Sequence, residues 1–139
     1  LFLNKKIPTI VGLDHISYRI NPIDRWFNFY FEAKERGLDP LWTINHGWIS
    51  GIYYKDPDGN LVEIFFEHFS SAEEFKSNIS PDFEDEPIGT NMDVEVLYEM
   101  YKAGSDFSEL ITKGNTVPEG KKPVSGFDAV VNMKKKFKD

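Results

Sequence analysis

The stretch from His46 to Phe66, HGWISGIYYKDPDGNLVEIFF, sets two alternating apolar and polar runs on either side of one tight turn, the pattern of a β-hairpin. Asp56-Pro57-Asp58-Gly59 supplies the turn, since Pro57 fixes one φ near the value of a turn's first corner and Gly59 can take a positive φ without strain. In a strand ending at Phe66, a period of two places Leu61, Glu63 and Phe65 on one face and Val62, Ile64 and Phe66 on the other. Glu63 is the anomaly. A carboxylate between large apolar residues is costly to bury unless a cation or hydrogen-bond donors meet it, so its position implies a metal, a basic partner or a water-filled pocket.

Upstream of the hairpin, Leu13 to Ile20 (LDHISYRI) alternates cleanly. Asp14, Ile16, Tyr18 and Ile20 form a face suited to packing under a helix, and Leu13, His15, Ser17 and Arg19 form the other. Asn21-Pro22 opens a helix continued by Ile23 to Arg36, with Trp26, Phe27, Tyr30 and Phe31 in one apolar stripe and Gly37 as its C-cap. Pro40 to Asn45 makes a short strand, and Trp48 to Lys55 with Leu61 to His68 makes the hairpin. The unit is β-α-β-β-β, an α+β module. Downstream, Ser71 to Asn78 begins with a capping-box pattern and predicts a short helix. Residues 80–90 are acidic, hold two prolines and predict an irregular link. Asp93 to Ala103 predicts an Asp-capped helix with Val96, Leu97, Met100 and Tyr101 at helical spacing and Gly104 as its stop, and residues 105–111 one further turn. From Thr112 onward a loosely held tail is expected, with apolar anchors only at Phe127 to Met133. The expected division is therefore a module over 11–69 and a helical, irregular extension over 70–139.

Composition narrows the function classes. The chain has 139 residues, 40% hydrophobic and 15% aromatic, enough for one domain with a real core. A net charge of −7 and a pI near 5.0 argue against a nucleic-acid partner, and the basic run from Lys134 to Lys138 reads as a solvated tail. With no cysteine, disulfides and thiolate chemistry are excluded, which fits a reducing, cytoplasmic setting. No apolar run approaches the ~20 residues of a membrane span. His, Asp, Glu and Tyr remain for chemistry. Residues 1–10, LFLNKKIPTI, read like the last strand and exit loop of a preceding unit, so the segment is expected to be the remnant of one.

Of the three histidines, His15 lies within the first strand, His46 precedes a glycine at the hairpin's entry, and His68 ends its strand on the face opposite Glu63. A histidine from the first strand and a glutamate from the last strand of one β-α-β-β-β unit can both point into the cup of a curved sheet. Imidazole with carboxylate suits a divalent iron, manganese or zinc, but two ligands are too few for such an ion, so a third must come from elsewhere.

Leu13-Asp14-His15-Ile16, the helix ending at Gly37, Asn45-His46-Gly47 and Tyr53-Tyr54-Lys55-Asp56-Pro57-Asp58-Gly59-Asn60-Leu61-Val62-Glu63 together resemble the vicinal oxygen chelate superfamily of glyoxalases, bleomycin resistance proteins and extradiol dioxygenases. The acidic link with Pro87-Ile88-Gly89 and the helix after it are similar to small biphenyl-2,3-diol 1,2-dioxygenase-like members, and the resemblance covers most of residues 10–111. It implies that His15 and Glu63 are two ligands of a two-histidine, one-carboxylate site for Fe(II), with the third ligand outside this segment. It also implies that Tyr53 hydrogen-bonds an aromatic, diol-like small-molecule substrate and that His46 is a rim group acting as acid or base. Superfamily members pair two such units into one cup, so a homodimer or a further segment is expected to complete it. Two alternatives stay open: a glyoxalase-type lyase or isomerase, and a metal-free binding protein like the bleomycin resistance proteins, its groove lined by Trp42, Trp48 and Tyr53.

Overall fold

The structure, a computed structural model, describes residues 12–126, 128 and 131. Its elements are β1 (Ile16–Arg19), α1 (Ile23–Glu35), β2 (Trp42–Asn45), β3 (Ile49–Lys55), β4 (Leu61–Glu67), α2 (Ala72–Asn78), β5 (Thr90–Asn91), α3 (Val94–Lys102) and α4 (Phe107–Ile111). The expected β-α-β-β-β order is present, so the chain is an α+β, glyoxalase-like module with a helical extension. One sheet runs β1-β4-β3-β2-β5, with β1 parallel to β4 and the other pairs antiparallel.

The hairpin turn closes as its residues dictate. Gly59 takes φ 88°, and the Asp56 carboxylate accepts hydrogen bonds from the Asn60 backbone N–H at 2.6 Å and from its amide Nδ2 at 2.9 Å. Helix α1 buries Trp26, Phe27, Tyr30 and Ala33, the spacing of one helical stripe, and the chain leaves it through Gly37 at φ 79°. That stripe packs on Ile52, Ile64 and Phe66 of the sheet, and Met92, Val94, Leu97 and Leu110 of the extension close the same core. Trp26 Nε1 donates to the Ile64 carbonyl at 3.0 Å, so even the large indole has its polar atom satisfied. The opposite face carries a second cluster of Ile44, Tyr53 and Leu61, with Leu41, Trp42 and Ile88 against it. Among the described residues no helix is long and apolar enough to cross a membrane.

Three expectations are corrected. Strand β1 is shorter than its alternation suggests, and Ile16 and Tyr18 remain 39% and 56% exposed. The reason is position: β1 is an edge strand, and only Ile20, past its end, reaches the helix-side core. The link over 80–90 is not wholly irregular, because it ends in β5, which pairs Ile44 with Asn91 and Asn45 with Thr90. The tail is tied as far as Gly126. Asp93 N–H donates to the Thr116 carbonyl at 2.6 Å, Val124 N–H to Asn91 Oδ1 at 2.6 Å, and Gly126 N–H to the Gly89 carbonyl at 2.6 Å. Each tie is a hydrogen bond from a backbone N–H, two to carbonyls and one to the Asn91 side chain, and such bonds leave no apolar periodicity to read. The strand read at residues 1–10 and the basic run at 134–138 lie outside the described residues, as does most of the anchor read at 127–133.

Candidate active site

Register assembles the site. Across the sheet, Ser17 of β1 stands opposite Glu63 of β4, Glu63 opposite Tyr53 of β3, and Tyr53 opposite Trp42 of β2. Because paired residues share a face, one row of side chains crosses four strands on the side away from α1. Glu63 lies at its centre with 3% exposure.

The Glu63 carboxylate is met from both sides. Ser17 Oγ donates to Oε2 at 2.6 Å, and His15 Nε2 stands 3.4 Å from the same oxygen. Oε1 has no hydrogen-bond partner, although it is buried; His46 Nε2 is 3.6 Å from it, beyond hydrogen-bond reach but within that of an ion pair. Burial pushes the Glu63 acid up, and His46, Ser17 and Tyr53 outweigh it, holding the group below the ordinary carboxylate range. Tyr53 shows the converse: burial first, then the Glu63 charge, drives its phenol far above the ordinary value, so the hydroxyl keeps its proton. That hydroxyl is 3.4 Å from His46 Nε2, and the Tyr53 ring meets His15 edge-on at 5.4 Å and tilts against Trp42 at 5.0 Å.

The cradle is shaped by a glycine. A Cβ on Gly51 would overlap Glu63 Oε1 and come within 3.2 Å of its carboxyl carbon, so only a bare backbone leaves room for the acid. Both imidazoles are anchored at the far nitrogen. Asp14 Oδ2 accepts from His15 Nδ1 at 2.8 Å, and the Ile88 carbonyl accepts from His46 Nδ1 at 2.5 Å, which leaves each Nε2 turned toward Glu63. An imidazole whose other nitrogen donates to a carboxylate or carbonyl is the usual form of a metal-ligating histidine. His15 and Glu63, with the unpartnered Oε1, therefore fit two positions of a divalent-metal site by donor type and orientation. Among the described residues no group of three or more His, Asp or Glu is placed to hold an ion.

The structure thus brings together all four residues singled out from the sequence, His15, His46, Tyr53 and Glu63. It separates two others. His68 is buried on the helix side with its Nε2 2.8 Å from Ser50 Oγ, and Trp48 is 43% exposed, apart from the Trp42–Tyr53 pair. Four contributors were missed, the first being Asp14, which the alternation of Leu13 to Ile20 assigns to the helix-packing face but which instead holds His15 Nδ1. Ser17 was legible as a same-face neighbour of His15, and Gly51 as a glycine inside a strand. The Ile88 carbonyl, being backbone, leaves no mark in a sequence.

Two curated proteins of Rhodococcus globerulus are similar to this chain. Biphenyl-2,3-diol 1,2-dioxygenase 3 is 31% identical over 112 residues, which cover 80% of this chain and 59% of that protein. Biphenyl-2,3-diol 1,2-dioxygenase 2 is 28% identical over 111 residues, covering 79% and 58%. The chain therefore spans less than three-fifths of the length of these relatives. No family model matches it, and no solved structure does. The two similarities support the vicinal oxygen chelate and extradiol dioxygenase relationship that the hairpin suggests.

Proposed function

We propose that this chain supplies part of the active site of a ring-cleaving dioxygenase acting on an aromatic vicinal diol. One observation carries the reading: a buried carboxylate, with one oxygen unpartnered, lies between two imidazole Nε2 atoms that are each fixed from behind. Ser17 satisfies Oε2, but Oε1 is buried with no hydrogen-bond donor, and a buried carboxylate oxygen left short of a partner is costly, which favours a metal site over a groove for an apolar ligand. His15 and Glu63 would hold Fe(II), with the third ligand supplied from outside the described residues by a further segment or a second copy. When bound, the metal supplies a common point for the diol and O₂ and a route for electrons between them. The similarity to biphenyl-2,3-diol 1,2-dioxygenases supports this substrate class.

The chain's own groups have distinct tasks. Tyr53, held protonated, donates a hydrogen bond to a diol oxygen and orients it. His46 presents Nε2 to the same region, where it takes up the proton a diol releases and returns it as the ring opens. Trp42 flanks Tyr53 and keeps water from that side. The ring carbon–carbon bond next to the diol breaks, and both oxygen atoms of O₂ enter the product, so no outside reductant is needed.

The test is oxygen uptake with biphenyl-2,3-diol by the full-length protein, which carries the third ligand, after anaerobic loading with Fe(II). Consumption of one O₂ per diol is expected, with loss of at least 100-fold in Glu63→Gln. Diol-dependent uptake that survives Glu63→Gln unchanged would contradict the reading.

A further inference from the structure

The extension reaches the site at Ile88-Gly89, and the contact there is unusually close. Gly89 adopts φ 101°, and a Cβ at that position would collide with the Asn45 carbonyl oxygen and lie 2.7 Å from the His46 Cα. The backbone at 88–89 therefore lies directly on the backbone of residues 45–46, an approach that only glycine permits. Beside that contact the Ile88 carbonyl takes the hydrogen bond from His46 Nδ1 at 2.5 Å. A carbonyl oxygen can only accept, so the proton at this contact belongs to Nδ1.

The segment is held from the far side as well. Gly126 N–H donates to the Gly89 carbonyl at 2.6 Å, and a Cβ on Gly126 would stand 2.6 Å from Ile88 Cγ2 and 2.7 Å from the Gly89 oxygen. Lys113 Nζ donates to the Glu86 carbonyl at 3.2 Å just before the segment, and β5 pairs with β2 just after it. His46 is fixed from its own side too. Its N–H donates to the Ile49 carbonyl at 2.9 Å, while Asn45 Oδ1 accepts from Gly47 N–H at 2.7 Å and Asn45 Nδ2 donates to the Ile111 carbonyl at 2.8 Å. The tail, the 88–89 segment and residues 45–46 thus form three backbone layers in van der Waals contact.

We propose that Ile88-Gly89 is a positioning strap: it keeps the His46 proton on Nδ1 and the ring oriented, so that Nε2 is the atom presented to Tyr53 and Glu63. The inference rests on the reading of His46 as a proton-handling group. Ile88 and Gly89 act through His46 and touch no substrate. The assignment gives the extension a role in the site, with Gly126, two layers away, setting the strap's height above His46. Which ring nitrogen of a histidine is protonated is decided by the hydrogen bond its other nitrogen makes, so displacing the strap frees the ring to take the other tautomer or to rotate.

The test is the tautomer of His46, read from two-bond proton–nitrogen correlations of the imidazole in metal-free, ¹⁵N-histidine-labelled protein at about pH 8, with His46→Gln assigning the signals. The wild type is expected to show His46 protonated at Nδ1. In Gly89→Ala the Nδ1-protonated population should fall to a minority, and Gly126→Ala should shift it in the same direction from the far side. Gly37→Ala, which strains a left-handed glycine with open space around it, should leave the pattern untouched even if the protein is less stable. If Gly89→Ala does not fold, Gly126→Ala carries the comparison. A wild-type His46 protonated only at Nε2, or an unchanged pattern in the folded glycine variants, overturns the proposal. The protein is read without metal, so the result stands apart from whether His15 and Glu63 bind one.

Discussion

At the scale of single residues, Glu63 and His68, buried on opposite faces of the sheet, behave oppositely. Glu63 has polar neighbours that favour its charge, whereas burial drives the His68 imidazole down to about 3 from its ordinary 6.5, the Gly47 backbone offsetting this only in part. Since the unfolded chain would bind a proton at His68 well before the folded one does, stability from this residue is complete above about pH 6.5 and is lost as pH falls toward 3. Between pH 6.5 and 5 the loss amounts to about 2 kcal/mol, at ~1.36 kcal/mol per pH unit. Denaturant unfolding across that range should show this slope in the wild type and a flatter one in His68→Gln. An identical slope in both would show that another group governs it. From sequence, His68 was placed correctly opposite Glu63 by the period of two, but its Ser50 partner is set by register between strands, which one strand's pattern does not encode.

At the scale of elements, the sheet positions the site through a row that crosses it, and β3 contributes both a side chain and the lack of one. Tyr53 lies beside Glu63, while Gly51 leaves the space the carboxylate occupies. Alanine in place of glycine within a strand ordinarily stabilises by roughly 0.5–1 kcal/mol. Here the added methyl meets Glu63, and Gly51→Ala should instead destabilise by about 1–3 kcal/mol. In a Glu63→Ala background the same change should cost within about 0.5 kcal/mol of nothing, because the obstruction is gone. Chemical denaturation of the four proteins in that cycle decides it, and a cost unchanged by Glu63→Ala would refute the cradle. The hairpin, α1 and the capped helix α3 were all legible because each carries its own periodicity and punctuation: the Asp56 to Gly59 turn, the Trp26 and Tyr30 stripe, the Asp93 cap. Strand β5 and the tail's pairing were not, because two-residue strands and backbone bonds through Gly89 and Gly126 depend on tertiary proximity.

At the scale of the whole molecule, the extension completes the module. Met92, Val94, Leu97 and Leu110 close the core over α1, and Ile88 joins the cluster on the site's side of the sheet. One continuous body therefore links the tail to His46. Length in sequence separates Glu63 from His15 by most of the module, yet parallel pairing of β1 with β4 puts Ser17 directly opposite Glu63 and His15 at its edge. We propose that this convergence is a metal site completed by a ligand from outside the described residues. Anaerobic calorimetric titration with Fe(II) tests it most directly, comparing the wild type with Glu63→Gln, which keeps the side chain's shape and removes its charge. In the full-length protein, where the third ligand is present, the wild type should bind at micromolar Fe(II) and Glu63→Gln at least 100-fold more weakly, with both proteins folded. Equal binding by the two, or none by the wild type, would contradict the assignment of His15 and Glu63 as ligands.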